Sequence, residues 1–180
     1  SAEDWVERVH GLASPRWQPD GSRLDAWFLH PGFTPRTGGL ILEPAVRAAM
    51  ERDAATAAPE AGPATVTVFC YGQPAFGAWM DAWIGAGLQV RLTPGPASLQ
   101  GRDWARTQGA VPAGRVEWLE AVPQVDFDAL LRGSDLNIVR GEDSLVRAVW
   151  ARRPFVWHAY VQDDGAQHDK IEAFLARYLD

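Results

Sequence analysis

The run Arg140-Gly141-Glu142-Asp143-Ser144 puts a guanidinium, a glycine, two carboxylates and a hydroxyl in consecutive positions. That set suits an anion. An arginine fork makes bidentate contacts to phosphate or carboxylate. The amides of a helix's first turn carry partial positive charge and favour the same ligands. Either Asp143 or Ser144 can cap the helix that follows, and a cap hydroxyl is compatible with a phosphate contact because both satisfy first-turn amides. Glu142 and Asp143 would repel a diphosphate if both faced it. One of them is therefore expected to accept from a sugar hydroxyl or a base edge, and Glu142 is also suited to positioning a guanidinium substrate. A local ion pair between Arg140 and these carboxylates is the competing structural reading.

The elements around this run must place it at a ligand. Residues 135–139 read as a buried strand, 140–143 as a charged turn, and 144–152 as a helix with Leu145, Ala148 and Val149 inward. Residues 155–157 form the next strand. Upstream, the β-branched and aromatic run 65–71 is a strand. A helix over 75–86 ends at Gly87. Strands over 88–92 and 116–119 follow, with an irregular helix over 98–108 between them. A short helix over 124–131 is capped near Val125 or Asp126, and a last helix covers 167–179. This alternation predicts an α/β fold, a mostly parallel sheet with helices on both faces. Right-handed crossovers bring the strand C-terminal ends to one edge. Tyr71, Gln124, Arg140 to Ser144 and His158 fall there. Phe69 and Tyr71 share one side of their strand. Tyr71 is suited to offer its hydroxyl, Phe127 to stack on a base, and Gln124 to hydrogen-bond a base edge.

Residues 1–60 are less regular. They predict a short helix from Trp5, a strand over 24–29 broken by His30-Pro31-Gly32, and an Ala-rich helix over 42–58, before a Pro- and Gly-containing linker. We expect 1–60 to be an interdomain segment or the tail of another domain, and 61–180 to be a regular α/β unit. The net charge of -6 over 180 residues gives no support for a nucleic-acid surface. Nine Trp residues are many for this length, so part of the set is expected at an interface. Cys70 is the single cysteine, excluding an internal disulfide, and is read as a buried structural thiol. No apolar run reaches the roughly 18 residues of a membrane span, and no leader pattern opens the chain. A cytoplasmic setting is expected. Neither GxGxxG, GxxxxGK[ST] nor GxSxG occurs, and His10, His30, His158 and His168 lack metal-ligand spacing. Asp163-Asp164 with His168-Asp169 reads as an acidic loop capping the last helix.

The string DLNIVRGEDSLVRAVWARRPFVWHAY, followed by Gln162, His168, Lys170 and the AFL of 173–175, resembles the EarP family, the protein-arginine rhamnosyltransferases of bacterial elongation factor P. SAEDWVERVHG, FLHPGFTPRTGGL and VFCYGQPAF are similar to the same family. The resemblance implies the Rossmann-like, C-terminal donor-binding domain of an inverting GT-B glycosyltransferase. It implies dTDP-β-L-rhamnose as donor substrate, no other cofactor and no metal. The implied acceptor is an arginine on the N-terminal domain of elongation factor P. Carried over, Phe69, Tyr71, Gln124, Phe127, Arg140, Asp143 and Ser144 bind the donor. Gln124 and Phe127 lie around the thymine, Arg140 and Asp143-Ser144 hold the diphosphate, and Glu142 lies near the sugar in a supporting catalytic role. The family's proposed general base, an Asp near the start of the N-terminal domain, has no counterpart here. Asp4 and Asp20 fall in segments resembling later parts of the family. The expectation is a C-terminal half that binds donor but transfers nothing alone, its partner being the N-terminal domain of the same enzyme. Two other classes fit the residues: the nucleotide-sugar domain of another GT-B transferase, and a non-catalytic interaction domain using its Trp residues.

Overall fold

In this structure, a computed structural model, residues 4–56 and 62–179 are described. They fall into two compact units, 42–160 and 1–41 together with 161–180.

The larger unit is built on a five-stranded parallel sheet of order β5-β4-β3-β6-β7. The strands are β3 (Thr65–Val68), β4 (Gln89–Leu92), β5 (Val116–Trp118), β6 (Leu136–Arg140) and β7 (Phe155–His158). The helices joining them are α3 (Phe76–Gly85), α4 (Pro96–Thr107), α5 (Gln124–Arg132) and α6 (Gly141–Ala151), preceded by α2 (Pro44–Thr56). All four residues of β3 are buried, as a central strand covered on both faces requires. On one face Val66, Val68, Val90, Leu92 and Ile138 pack with Phe76 and Met80 of α3 and Trp104 of α4. On the other, Val139 packs with Leu131 of α5 and with Ala148 and Ala151 of α6. Ile138 and Val139 are adjacent and face opposite ways, the period-two alternation of a strand.

Polar groups inside this unit are paired locally. Ser134 Oγ donates to the Leu130 carbonyl at 2.9 Å, so Thr67 Oγ1 is the donor in its 2.7 Å bond to Ser134. Asn137 Nδ2 donates to the Leu131 carbonyl at 2.9 Å. Both tie the end of α5 to the central strands. Helix α2 buries Val46, Ala49 and Met50.

In the smaller unit, α1 (Asp4–Val9) precedes β1 (Arg16–Trp17) and β2 (Arg23–Leu24), which pair antiparallel, and α7 (Ala166–Tyr178) closes the chain. The strand expected over 24–29 is only partly regular. Beyond β2 it continues as an isolated bridge between Ala13 and Trp27, with Phe28 N–H donating to the Leu12 carbonyl. Phe33 meets Phe174 of α7 edge to face at 5.5 Å. The units therefore divide the chain elsewhere than residue 60. Helix α2, expected with the N-terminal segment, groups with the sheet, and α7 groups with residues 1–41. Local periodicity shows that both helices exist but not which apolar surface each one covers. The Trp set is divided: Trp104 is buried, whereas Trp17 and Trp27 are 75% and 59% exposed. No helix among the described residues is long and apolar enough to cross a membrane.

Met80 is fully buried between sheet and helix. Met80→Ala should lower unfolding stability by about 2–5 kcal/mol through lost burial and a residual cavity. Leu99→Ala on exposed α4 surface should change it by no more than about 0.5 kcal/mol. Urea unfolding of both variants measures the contrast.

Candidate functional site

The sheet reverses its winding between β3 and β6. From β3 the chain passes through α3 to β4 on one side, and from β6 through α6 to β7 on the other. Such a reversal leaves a crevice beyond the C-terminal ends of the two strands, because the connections leave in opposite directions. A cleft of about 580 Å³ lies there. Of the residues that the sequence places at this edge, Phe69, Tyr71, Gln124, Phe127, Arg140, Glu142, Asp143 and Ser144 line it, and His158 does not. Phe69 and Tyr71 follow β3, Arg140 ends β6, and Gln124 and Phe127 come from the first turns of α5.

The centre of the site departs from the expected turn. Strand β6 runs through Arg140 and α6 begins at Gly141, so no loop intervenes. Gly141 makes this junction with φ +62°, the left-handed region that costs an L side chain about 1–2 kcal/mol. A Cβ there would also lie 3.4 Å from the Tyr71 hydroxyl. Neither Asp143 nor Ser144 caps the helix from the N-cap position. That position falls on Arg140, with no side-chain cap. Ser144 is a buried helical residue whose hydroxyl accepts from the Arg140 backbone N–H at 3.1 Å. The reach-back resembles one arm of a capping box, and it leaves the first-turn amides uncapped by that hydroxyl. A helix start at a cleft, with no side-chain cap from its N-cap residue, suits an anion.

Arg140 is held by rings. Its guanidinium carbon lies 4.3 Å from the Phe69 ring centroid and 5.0 Å from that of Tyr71. Its Nη1 donates at a long 3.5 Å to the Cys70 carbonyl. No ion pair of Arg140 is found among the described residues, which disfavours the local-pair reading. Cation–π packing orients the planar fork without consuming its donors. Phe69 in turn meets Phe127 edge to face at 5.4 Å. Glu142 and Asp143 are exposed in the first turn of α6, where negative charge suits the helix dipole. The Cys70 thiol is pushed up to about 11 by burial, partly countered by Arg140, so it stays protonated and inert.

Tertiary structure adds residues that the sequence did not single out. Arg147 lines the cleft one turn after Ser144. It donates to both carboxylate oxygens of Glu43, Nη1 to Oε2 at 2.9 Å and Nη2 to Oε1 at 2.5 Å. Nη1 also donates to Asp128 Oδ2 at 3.1 Å. The pairing holds the Glu43 carboxyl below its usual range and raises Arg147, chiefly through their mutual hydrogen bonds. Asp128 is buried, and its Oδ1 accepts from Gln124 Nε2 at 3.2 Å. The only sequence signal for this chain of contacts was the helical spacing of Gln124 to Asp128 and of Asp143 to Arg147. Thr93, Pro94 and residues 119–122 add to the lining as loop ends after β4 and β5, and Leu130 of α5 completes it. His158, at the end of β7, lies behind the site, 5.7 Å from the Tyr71 ring in an edge-on contact.

Residues 1–180 match the family described as Elongation-Factor P (EF-P) rhamnosyltransferase EarP. A protein-arginine rhamnosyltransferase of Pseudomonas putida is 42% identical over 99% of this chain and 52% of its own length. One from Shewanella oneidensis is 36% identical over 100% of the chain and 51% of its own. The chain thus spans about half the length of these curated relatives. A solved structure, described as giving the structural basis for EarP-mediated arginine glycosylation of translation elongation factor EF-P, superposes with a TM-score of 0.65. It is 32% identical, and the match covers 84% of this chain and 54% of that one.

Burial lowers the His158 pKa from its ordinary 6.5, and its Nδ1 is buried without a hydrogen-bond partner among the described residues. The unfolded chain then binds more protons than the folded one between the depressed value and 6.5. This contribution is present above 6.5 and lost as pH falls below it. His158→Asn should flatten that part of the stability–pH profile, measured by urea unfolding between about pH 5 and 8, the range in which His changes charge.

Proposed function

Because the chain belongs to the EarP family of elongation factor P rhamnosyltransferases, we propose that its cleft is the donor half of a glycosyl-transfer site. The donor is dTDP-β-L-rhamnose and the acceptor an arginine on the N-terminal domain of elongation factor P. The fold serves as the C-terminal, nucleotide-sugar-binding domain of a GT-B enzyme. The single observation that carries this reading is the uncapped start of α6 beside the ring-held Arg140, inside a cleft that also contains Phe69, Tyr71, Gln124 and Phe127.

The chemistry follows from charge. The diphosphate rests on the first-turn amides of α6 and on the fork of Arg140. As the bond from the anomeric carbon to dTDP breaks, negative charge grows on the leaving oxygen, and these fixed donors stabilise it as it develops. Asp143 and Ser144 frame the diphosphate through the same first turn. Phe127 and Gln124 take the base, with Phe69 supporting Phe127. Glu142, exposed in that first turn, is directed to the sugar and the incoming guanidinium. The acceptor nitrogen is a weak nucleophile because its lone pair is delocalised, so a carboxylate must orient or deprotonate it during attack. That base belongs to the part of the relatives which this chain does not match. The chain therefore binds donor and needs the other half for transfer.

Isothermal titration tests the donor site. dTDP should bind in preference to UDP. Arg140→Ala should weaken dTDP by roughly 10- to 100-fold, the equivalent of about 1.5–3 kcal/mol for charge-assisted hydrogen bonds. UDP binding without dTDP binding would point to another GT-B transferase. No nucleotide binding by the folded chain would point to an interaction domain. Incubated alone with dTDP-rhamnose and elongation factor P, the chain should leave the factor's intact mass unchanged.

A further inference from the structure

Gln124 opens α5 at the cleft mouth and is itself exposed, so packing does not orient its amide. One contact does. Its Nε2 donates to Asp128 Oδ1 at 3.2 Å, one helical turn on. Asp128 is only 6% exposed, and its other oxygen is held by Arg147 at 3.1 Å. A carboxylate engaged by a guanidinium accepts and does not donate. Only the nitrogen edge of Gln124 can therefore face it. Arg147 is in turn clamped by both oxygens of Glu43, ahead of α2.

We infer that Glu43, Arg147 and Asp128 form a positioning relay that fixes Gln124 as an acceptor toward the cleft, so that the site selects a pyrimidine carrying hydrogen on N3. Uracil and thymine meet that condition. Cytosine does not, because its N3 is an acceptor and would meet the Gln124 oxygen lone pair to lone pair. The inference rests on the reading of the cleft as a thymidine-nucleotide site, and it concerns how that base is told from others. Asp128 touches no ligand in this scheme and acts through Gln124. The relay also gives a physical reason for burying a carboxylate at this place. An apolar side chain there would leave the amide of Gln124 free to turn over.

Asp128→Asn reverses the logic. With its carbonyl oxygen turned to Arg147, the new amide offers N–H to Gln124. Gln124 must then rotate its oxygen inward and expose its nitrogen to the cleft, matching cytosine.

Competition titrations with dTDP, dCDP and N3-methyl-dTDP test this. On the unmutated protein, dTDP should bind at least about tenfold tighter than either of the others, roughly one hydrogen bond to an unsatisfied partner. On Asp128→Asn, the preference for dTDP over dCDP should shrink by about tenfold or invert, while a merely structural role would weaken both nucleotides in proportion. Equal binding of dTDP and N3-methyl-dTDP by the unmutated protein overturns the relay without recourse to any variant. So does an unchanged dTDP-to-dCDP ratio in a folded Asp128→Asn. If dTDP binds and Arg140→Ala weakens it, those outcomes sink the relay alone. If the folded, unmutated protein takes no thymidine nucleotide, the donor-site reading fails and the relay with it.

Discussion

The site depends on one constraint: two neighbouring parallel strands, β3 and β6, send the chain away in opposite directions. Neighbouring connections elsewhere in such a sheet cover the strand ends. At a reversal they part, and backbone groups at both strand ends stay accessible. Everything chemically notable in the larger unit is arranged around that gap. The rings of Phe69 and Tyr71 come from one strand end and Arg140 from the other, which is why a cation–π stack can form across them.

The direct passage from β6 into α6 brings a helix N-terminus to the gap, a geometry suited to an anion. A connecting loop would carry its own donors and acceptors into the cleft. Here the chain turns within a single residue, Gly141, at positive φ. The helix N-terminus thus starts at the depth of the strand end. Ser144 satisfies the Arg140 amide from inside the helix, so its hydroxyl is turned back to the strand end. The acidic pair Glu142 and Asp143 stabilises the same helix end electrostatically while an anion is absent. With a diphosphate in place, their charge works against it unless they turn to other groups, and this is the tension that makes a sugar- or acceptor-facing Glu142 reasonable.

Helix α6 has a second task. Its face beyond the first turn carries Arg147, which ties α6 to Asp128 on α5 and to Glu43 ahead of α2. The α5 and α6 walls of the cleft are therefore joined by a charged contact as well as by apolar packing. Charged hydrogen bonds have directional requirements that apolar contacts lack, so the walls hold a defined relation and Gln124 a defined orientation.

Much of this was legible in the residues themselves. The β-branched run 65–68, the Ala- and Leu-bearing helices and the glycine stops show periodicities that neighbouring residues impose, and these set the order of strands and helices. Crossover handedness then placed Phe69, Tyr71, Gln124, Phe127 and Arg140 to Ser144 at one edge, where the structure has them around one cleft. The local pattern of RGEDS reads as a turn, whereas the structure makes it a direct strand-to-helix junction, because a glycine at positive φ can end a strand and open a helix with no residue between, and no periodicity records that. Asp128, Arg147 and Glu43 do not stand out in the sequence, because a helix face shows its spacing but not its partner. Arg147 and Glu43 are 104 residues apart and meet only once α2 has packed against α6. Residue types and local pattern thus determined the elements and the kind of ligand they suit. Only the tertiary structure decided which side chains hold one another, since pairing across such distances is set by packing of whole elements and not by any neighbour in the chain.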